Sequence, residues 1–205
     1  MLTKYGVPLL VFWLPVTGAA QVVCALGAGA SSYKTSADQS PSPDAMQLIT
    51  RTNAAVKAIC VSNCPEVVVF RNATASNLML IADAGRAKLV YAPQAFAAVH
   101  DRHGDAGIVA LVAHALGHAL DDGLGAAWID QGWTAELRAD AWAGCTLAKS
   151  KLGPADLPEA LATLADYPSP SHPKWSLRQQ AIRSGYTHCG GVTPFDTRGG
   201  KSKPQ

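Results

Sequence analysis

His114 and His118 stand four residues apart in the apolar run GIVALVAHALGHALDD, Gly107 to Asp122. On a helix that spacing puts both imidazoles on one face, about 5 to 6 Å apart at Cβ, which suits two ligands of one metal ion. By itself such a pair is more often two core imidazoles hydrogen-bonded to their neighbours. The metal reading gains at Glu136-Leu-Arg-Ala-Asp140, where two carboxylates, again four apart, share a face of the next long helix. Glu136 would complete a two-His, one-Glu zinc site and leave the fourth position open to water or a carbonyl. Asp140, one turn on, is placed to accept the free ring N–H of a ligand histidine. The competing reading makes both carboxylates helix-start charges paired with Arg138 or a nearby lysine.

The elements that must position these groups follow from pattern. At 205 residues, 48% hydrophobic and 16% charged, the chain is long enough for one globular domain with its own core. A net charge of +2, from scattered Lys and Arg, offers no basic face for nucleic acid. Met1 to Ala20 reads as a secretory signal: Lys4, the apolar run Val7 to Val16, then Gly18-Ala19-Ala20. Cleavage after Ala20 would deliver a periplasmic or secreted protein with no membrane attachment. Pro8 and Pro15 and the short run argue against the alternative of an uncleaved anchor.

Gln21 to Pro43, rich in Ala, Gly and Ser, reads as a flexible lead-in, and the folded domain as residues 44 to 189. Ala45 to Ile59 has near-helical apolar spacing. Glu66 to Arg71, Leu78 to Ala82 and Ala87 to Tyr91 are β-rich and predict a small antiparallel sheet, with a turn at 83 to 86. Gln94 to His100 predicts a short helix, with His100 and His103 facing solvent beyond it. The His114 helix is apolar on nearly all faces and should be buried. Thr134 caps a helix running to about Leu152, and 155 to 165 and 177 to 184 are further helical segments. Residues 190 to 205 read as a tail without regular structure. These elements make an α+β fold.

An exported chain makes Cys60, Cys64, Cys145 and Cys189 disulfide candidates, with three connectivities open. Cys60 with Cys64 and Cys145 with Cys189 is the preferred set, against a buried free thiol at Cys145. Cys24 has no assignment, since Val22-Val23 lacks the small residue expected before a lipidated cysteine.

The order Leu111-Val-Ala-His114-Ala-Leu-Gly-His118, then Glu136-Leu-Arg-Ala-Asp140, then Ser171-His172-Pro173 with Arg178 beyond, resembles the M48-type zinc metallopeptidases of the gluzincin group. The resemblance covers roughly Asn77 to Tyr186. It implies a zincin-like fold, Zn²⁺ held by His114, His118 and Glu136, and Asp140 behind the ligands. It also implies that His172 and Arg178 order the cleft or stabilise an oxyanion; otherwise they are a turn and an ordinary helix residue. The strand Leu78 to Ala82 would be the edge on which an extended peptide or protein substrate pairs. Trp128 and Trp133 would line the cleft or, more simply, cover the core.

The chain departs from the family motif H-E-x-x-H at one catalytic position. The glutamate that takes a proton from the zinc-bound water is here Ala115. A methyl group does no proton transfer, and general acid–base catalysis contributes ~10² to 10⁴ in rate. The expectation is a metal-binding chain that hydrolyses peptides poorly, whether by an engineered change, by natural loss, or with another carboxylate substituting. The alternatives are a zinc-binding pseudopeptidase that holds a peptide or protein partner, and an exported structural domain with no metal.

Overall fold

The structure is a computed structural model that describes residues 21–26, 32–60, 62, 64–83, 86–153 and 155–192. The expected signal segment and most of the expected tail lie outside the described residues. The elements in chain order are β1 (Gln21–Leu26), α1 (Pro43–Ile59), β2 (Val67–Arg71), β3 (Leu78–Asp83), β4 (Arg86–Tyr91), α2 (Pro93–Leu124), α3 (Ala135–Lys149), α4 (Leu157–Asp166) and α5 (Trp175–His188). The chain is therefore α+β, with a four-stranded sheet in the order β1-β3-β4-β2.

Two expectations about the sheet are corrected. It is mixed rather than antiparallel: β3 pairs antiparallel with β1 and β4, but β2 runs parallel to β4. Hydrophobic period identifies a strand and says nothing about its neighbour, and β2 lies on the far side of β4 from its successor in sequence. Residues 21–26, expected in a flexible lead-in, form β1. Their apolar side chains find a partner edge in β3, a contact that composition cannot reveal. The sheet is covered on both faces. Leu78, Leu80 and Leu89 join the main core with α2, while Met79, Ile81 and Val90 join a second, smaller cluster. Such strands read as unbroken apolar runs rather than alternations.

α2 is kinked at Gly104, where φ is 62°. The segment before the kink is the expected short helix, and the segment after it is the expected buried helix, with Ile108, Leu111, Val112, Leu116 and Leu120 at 2% exposure or less. Each such side chain stabilises the fold by roughly 1.5 to 3 kcal/mol. His103 does not face solvent. It is buried under α4, its Nδ1 3.2 Å from Glu159 and its Nε2 3.4 Å from Asp166. A polar local sequence gave no sign of α4 lying over it; His100 is exposed.

Close backbone approach sets the helices against one another. A Cβ at Gly117 would lie 2.3 Å from the Ala139 carbonyl oxygen, so α2 and α3 touch where only glycine fits. Because Gly117 falls between His114 and His118, and Ala139 between Glu136 and Asp140, that contact aligns the two candidate pairs. A Cβ at Gly185 would lie 1.8 Å from the Ala141 carbonyl oxygen, which draws α5 onto α3 and brings Arg178 to Asp140. The disulfides Cys60–Cys64 and Cys145–Cys189 both form, the second tying α3 to the end of α5.

Candidate metal centre

The centre is assembled from α2, α3, the loop before α5, and β1. Thr134 caps α3 by accepting the Leu137 N–H at 3.4 Å, which places Glu136 in the first helical turn. His114 is fully buried, and its Nδ1 lies 2.8 Å from Asp140 Oδ1. Asp140 is gripped by Arg178 through two bonds of 2.8 and 2.9 Å, while Arg178 Nη1 donates to the Leu164 carbonyl at 2.8 Å. A carboxylate held this way accepts a hydrogen bond from Nδ1–H, so in the neutral ring the lone pair of His114 sits on Nε2. That atom is 3.3 Å from Glu136 Oε2, and His118 Nε2 is also 3.3 Å from it.

Two ligands about 2.0 to 2.1 Å from one ion at a tetrahedral angle stand about 3.3 to 3.4 Å apart, so the spacing fits zinc. His118 Nε2 and Glu136 Oε2 are buried without a hydrogen-bond partner. Buried polar atoms rarely go unpaired, and here both unpaired atoms face one point. With Cys24 Sγ, the ligand atoms of His114, His118 and Glu136 all lie within 4.8 Å of one another. Nitrogen, carboxylate oxygen and sulfur are the donor types zinc takes.

His172 stands beside this group. Its Nδ1 accepts the Ser169 N–H at 2.9 Å, which leaves the ring proton on Nε2, 3.0 Å from Glu136 Oε2 and 3.3 Å from His114 Nε2. With that tautomer His172 is a donor aimed into the site rather than a fourth lone pair. Ser171 Oγ donates to Glu136 Oε1 and steadies the carboxylate. Arg178 is buried behind Asp140.

The electrostatics follow from this crowding. Burial would raise the Cys24 thiol, but the imidazoles of His114, His118 and His172 outweigh it and bring the thiol down to about 5. Burial disfavours His118 as a cation, yet Cys24 and Glu136 lift it to about 9. Glu136 is held well below the carboxylate range because the three imidazoles and Ser171 overcome its desolvation. Asp140 is likewise lowered, its burial opposed by His114 and Arg178.

The α2, α3 and α5 residues singled out in the sequence thus lie together: His114, His118 and Glu136 converge, Asp140 and Arg178 stand behind them, and His172 is alongside. Ala115 is buried at 1% exposure. Among the described residues no further carboxylate joins the donor group. Asp121 is bound by Arg138 at 2.7 Å, and Asp122 lines a cavity of about 330 Å³ beside β3. Trp128 is stacked on His188 and set edge-on to Trp142, covering the core near the disulfide. Cys24 and Ser171 are the residues that sequence reasoning left without a role. The signal for Cys24 was its odd number among five cysteines in a chain with two disulfides; for Ser171 it was its place beside His172.

No family model matches the chain, and no curated protein or solved structure matches it. Among the described residues no helix is long and apolar enough to cross a membrane.

Proposed function

We propose that this chain is an exported zinc-binding protein of the M48-type, zincin-like kind that keeps a metallopeptidase's site while its peptide hydrolysis is impaired. The observation that carries the reading is the convergence of His114 Nε2, His118 Nε2 and Glu136 Oε2, two of them buried and unpaired. These three residues would hold Zn²⁺, which when bound supplies Lewis-acid polarisation and an acidified water.

The chain's own residues have separable tasks. Arg178 and Asp140 hold His114 in the tautomer that leaves Nε2 free. Ser171 orients Glu136. His172, with its Nε2–H directed inward, is placed to donate to negative charge growing on a carbonyl oxygen. The absent proton carrier at Ala115 leaves hydrolysis short by ~10² to 10⁴.

Stoichiometric zinc in the purified protein, lost on His118→Ala, is the expected result. A metal-free protein of unchanged stability would leave only a disulfide-tied structural domain. Ala115→Glu in a Cys24→Ser, Ala25→Pro background, which frees the fourth position and loosens β1, should, zinc-loaded and assayed on a reduced, unfolded protein, cleave at least about 10²-fold faster than that background alone. The second reading is a zinc-binding pseudopeptidase that holds a peptide or protein partner. It is favoured by Cys24, whose sulfur would fill the position a peptidase leaves open, and an inert, fully loaded Ala115→Glu in that background would select it.

A further inference from the structure

β1 covers the β3 edge that the family resemblance would leave open to an extended peptide. It is the outermost strand of the sheet, it pairs antiparallel with β3 and with no other strand, and without it β3 would be an exposed edge of sequence LMLIAD. Natural edge strands are usually guarded by charge, proline or a covering element. The interior of β3 carries none of those guards; β1, itself the uncharged sequence QVVCAL, is the cover.

The strand is also irregular at the informative position. Val22 pairs with Ile81 and Cys24 with Leu80, so Val23 is an extra residue bulged out of the ladder. A bulge re-aims the side chain beside it. Cys24 is 4% exposed, whereas Val22 is 48% exposed. The thiol ends among the ligand atoms of His114, His118 and Glu136, of which His118 Nε2 and Glu136 Oε2 have no hydrogen-bond partner. Val23 itself lines the cavity of about 330 Å³ with Leu80, Ile81, Ala82, Ala119 and Asp122. A cavity flanked by an edge strand and by the residue after His118 is where a bound peptide would place a neighbouring side chain.

We propose that β1 is an internal occupant of the peptide cleft: it fills the strand position on β3, and the Cys24 sulfur is the fourth protein ligand of the metal. This rests on the metal reading above and goes beyond it. The cleft is then closed to water and to extended peptides while β1 stays paired, and it opens when β1 is displaced. Ligation is a proton-coupled exchange with no redox change. Any proton on the Cys24 sulfur would leave to solvent on ligation, and when water or another ligand displaced the sulfur it would take a proton back only from solvent.

Cobalt(II) substituted into the full chain reports directly on the sulfur. Cys60, Cys64, Cys145 and Cys189 are in disulfides, which leaves Cys24 as the free thiol. The unaltered chain should show a near-ultraviolet thiolate-to-cobalt charge-transfer band and visible bands that azide does not shift. Cys24→Ser should keep the visible bands, lose the charge-transfer band and respond to azide. A labelled QVVSAL peptide should bind a Cys24→Ser, Ala25→Pro variant at least tenfold more tightly than the unaltered chain, since proline removes a ladder bond and loosens β1. Bound cobalt without the sulfur band in the unaltered chain overturns the proposal and leaves the metal site standing, as does equal peptide binding by both proteins. Failure of the folded, unaltered chain to bind cobalt overturns the metal reading itself, and the proposal with it.

Discussion

Two clusters of polar side chains, one half-buried and one buried, anchor the N-terminal part of this chain to the sheet and helices, and they differ in how their charges close. At one, Asp38 accepts from Lys88, from Asn72 at 2.8 Å and from Tyr33 at 3.1 Å, and the Lys88 ammonium lies 4.7 Å from the Phe70 ring centre. One carboxylate meets one ammonium and neutral donors supply the rest. At the other, Cys24, His114, His118 and Glu136 bring their ligand atoms within 4.8 Å of one another, and two of those buried atoms make no well-aligned hydrogen bond. The first cluster is complete with protein groups alone, so it reads as structure. The second is a group that could hold a metal ion, so it reads as a candidate site.

Behind the second cluster lies a pair that is closed in the manner of the first. Removing its cation should have the largest effect: Arg178→Leu leaves the Asp140 carboxylate buried opposite His114 alone and should cost ~3 to 5 kcal/mol in denaturant unfolding. A loss well under this range would mean that His114 itself balances Asp140. Next in size is the metal. At a free zinc concentration about 100 times its dissociation constant, the unaltered chain should gain ~2.7 kcal/mol of stability. His118→Ala should gain nothing at the same concentration, because losing a ligand should cost more than the roughly 10- to 100-fold that follows from disturbing a residue behind one.

Asp140→Asn tests that smaller effect. It removes the carboxylate that fixes the His114 tautomer and should weaken zinc about 10- to 100-fold in a competition titration with a chelator. The smallest effect belongs to the closed cluster. Lys88→Met should destabilise by about 1 kcal/mol and leave zinc affinity unchanged. Its pH dependence has a definite sign. Burial raises Asp38, but Lys88, Asn72 and Tyr33 outweigh it and lower it in the folded chain. Its contribution is therefore present above the unfolded value of about 3.9 and lost as pH falls through the folded value. Unfolding midpoints below pH 4 should drop more steeply for the unaltered chain than for Lys88→Met. An equal slope would show that the lysine does not hold Asp38 ionised.

Much of the helical half was legible because helix geometry turns sequence spacing directly into spatial neighbourhood. His114 with His118, and Glu136 with Asp140, are pairs that any regular helix would align, and the Thr134 cap and the glycines at the end of α2 set the limits. The sheet was less legible. Period and composition found β2, β3 and β4 within a residue or so, yet neither encodes that β2 runs parallel to β4 on the far edge. His103 was misjudged for the same reason: its burial comes from α4, more than fifty residues away in the chain. Cys24 stood in a stretch whose Ala and Gly content hid a strand, since one glutamine and five apolar residues become β1 only when β3 offers an edge.

What the sequence by itself determined is chemistry of short range: a face with two imidazoles, a face with two carboxylates, and a methyl group at Ala115 between the imidazoles. These need only the periodicity of one helix. The tertiary structure decided what stands between those faces. Backbone contact at Gly117 sets α2 against α3, the contact at Gly185 seats Arg178 on Asp140, and β1 brings a thiol from ninety residues upstream into the same donor group. Donor atoms that converge across such distances are set by packing, and packing depends on the whole chain at once.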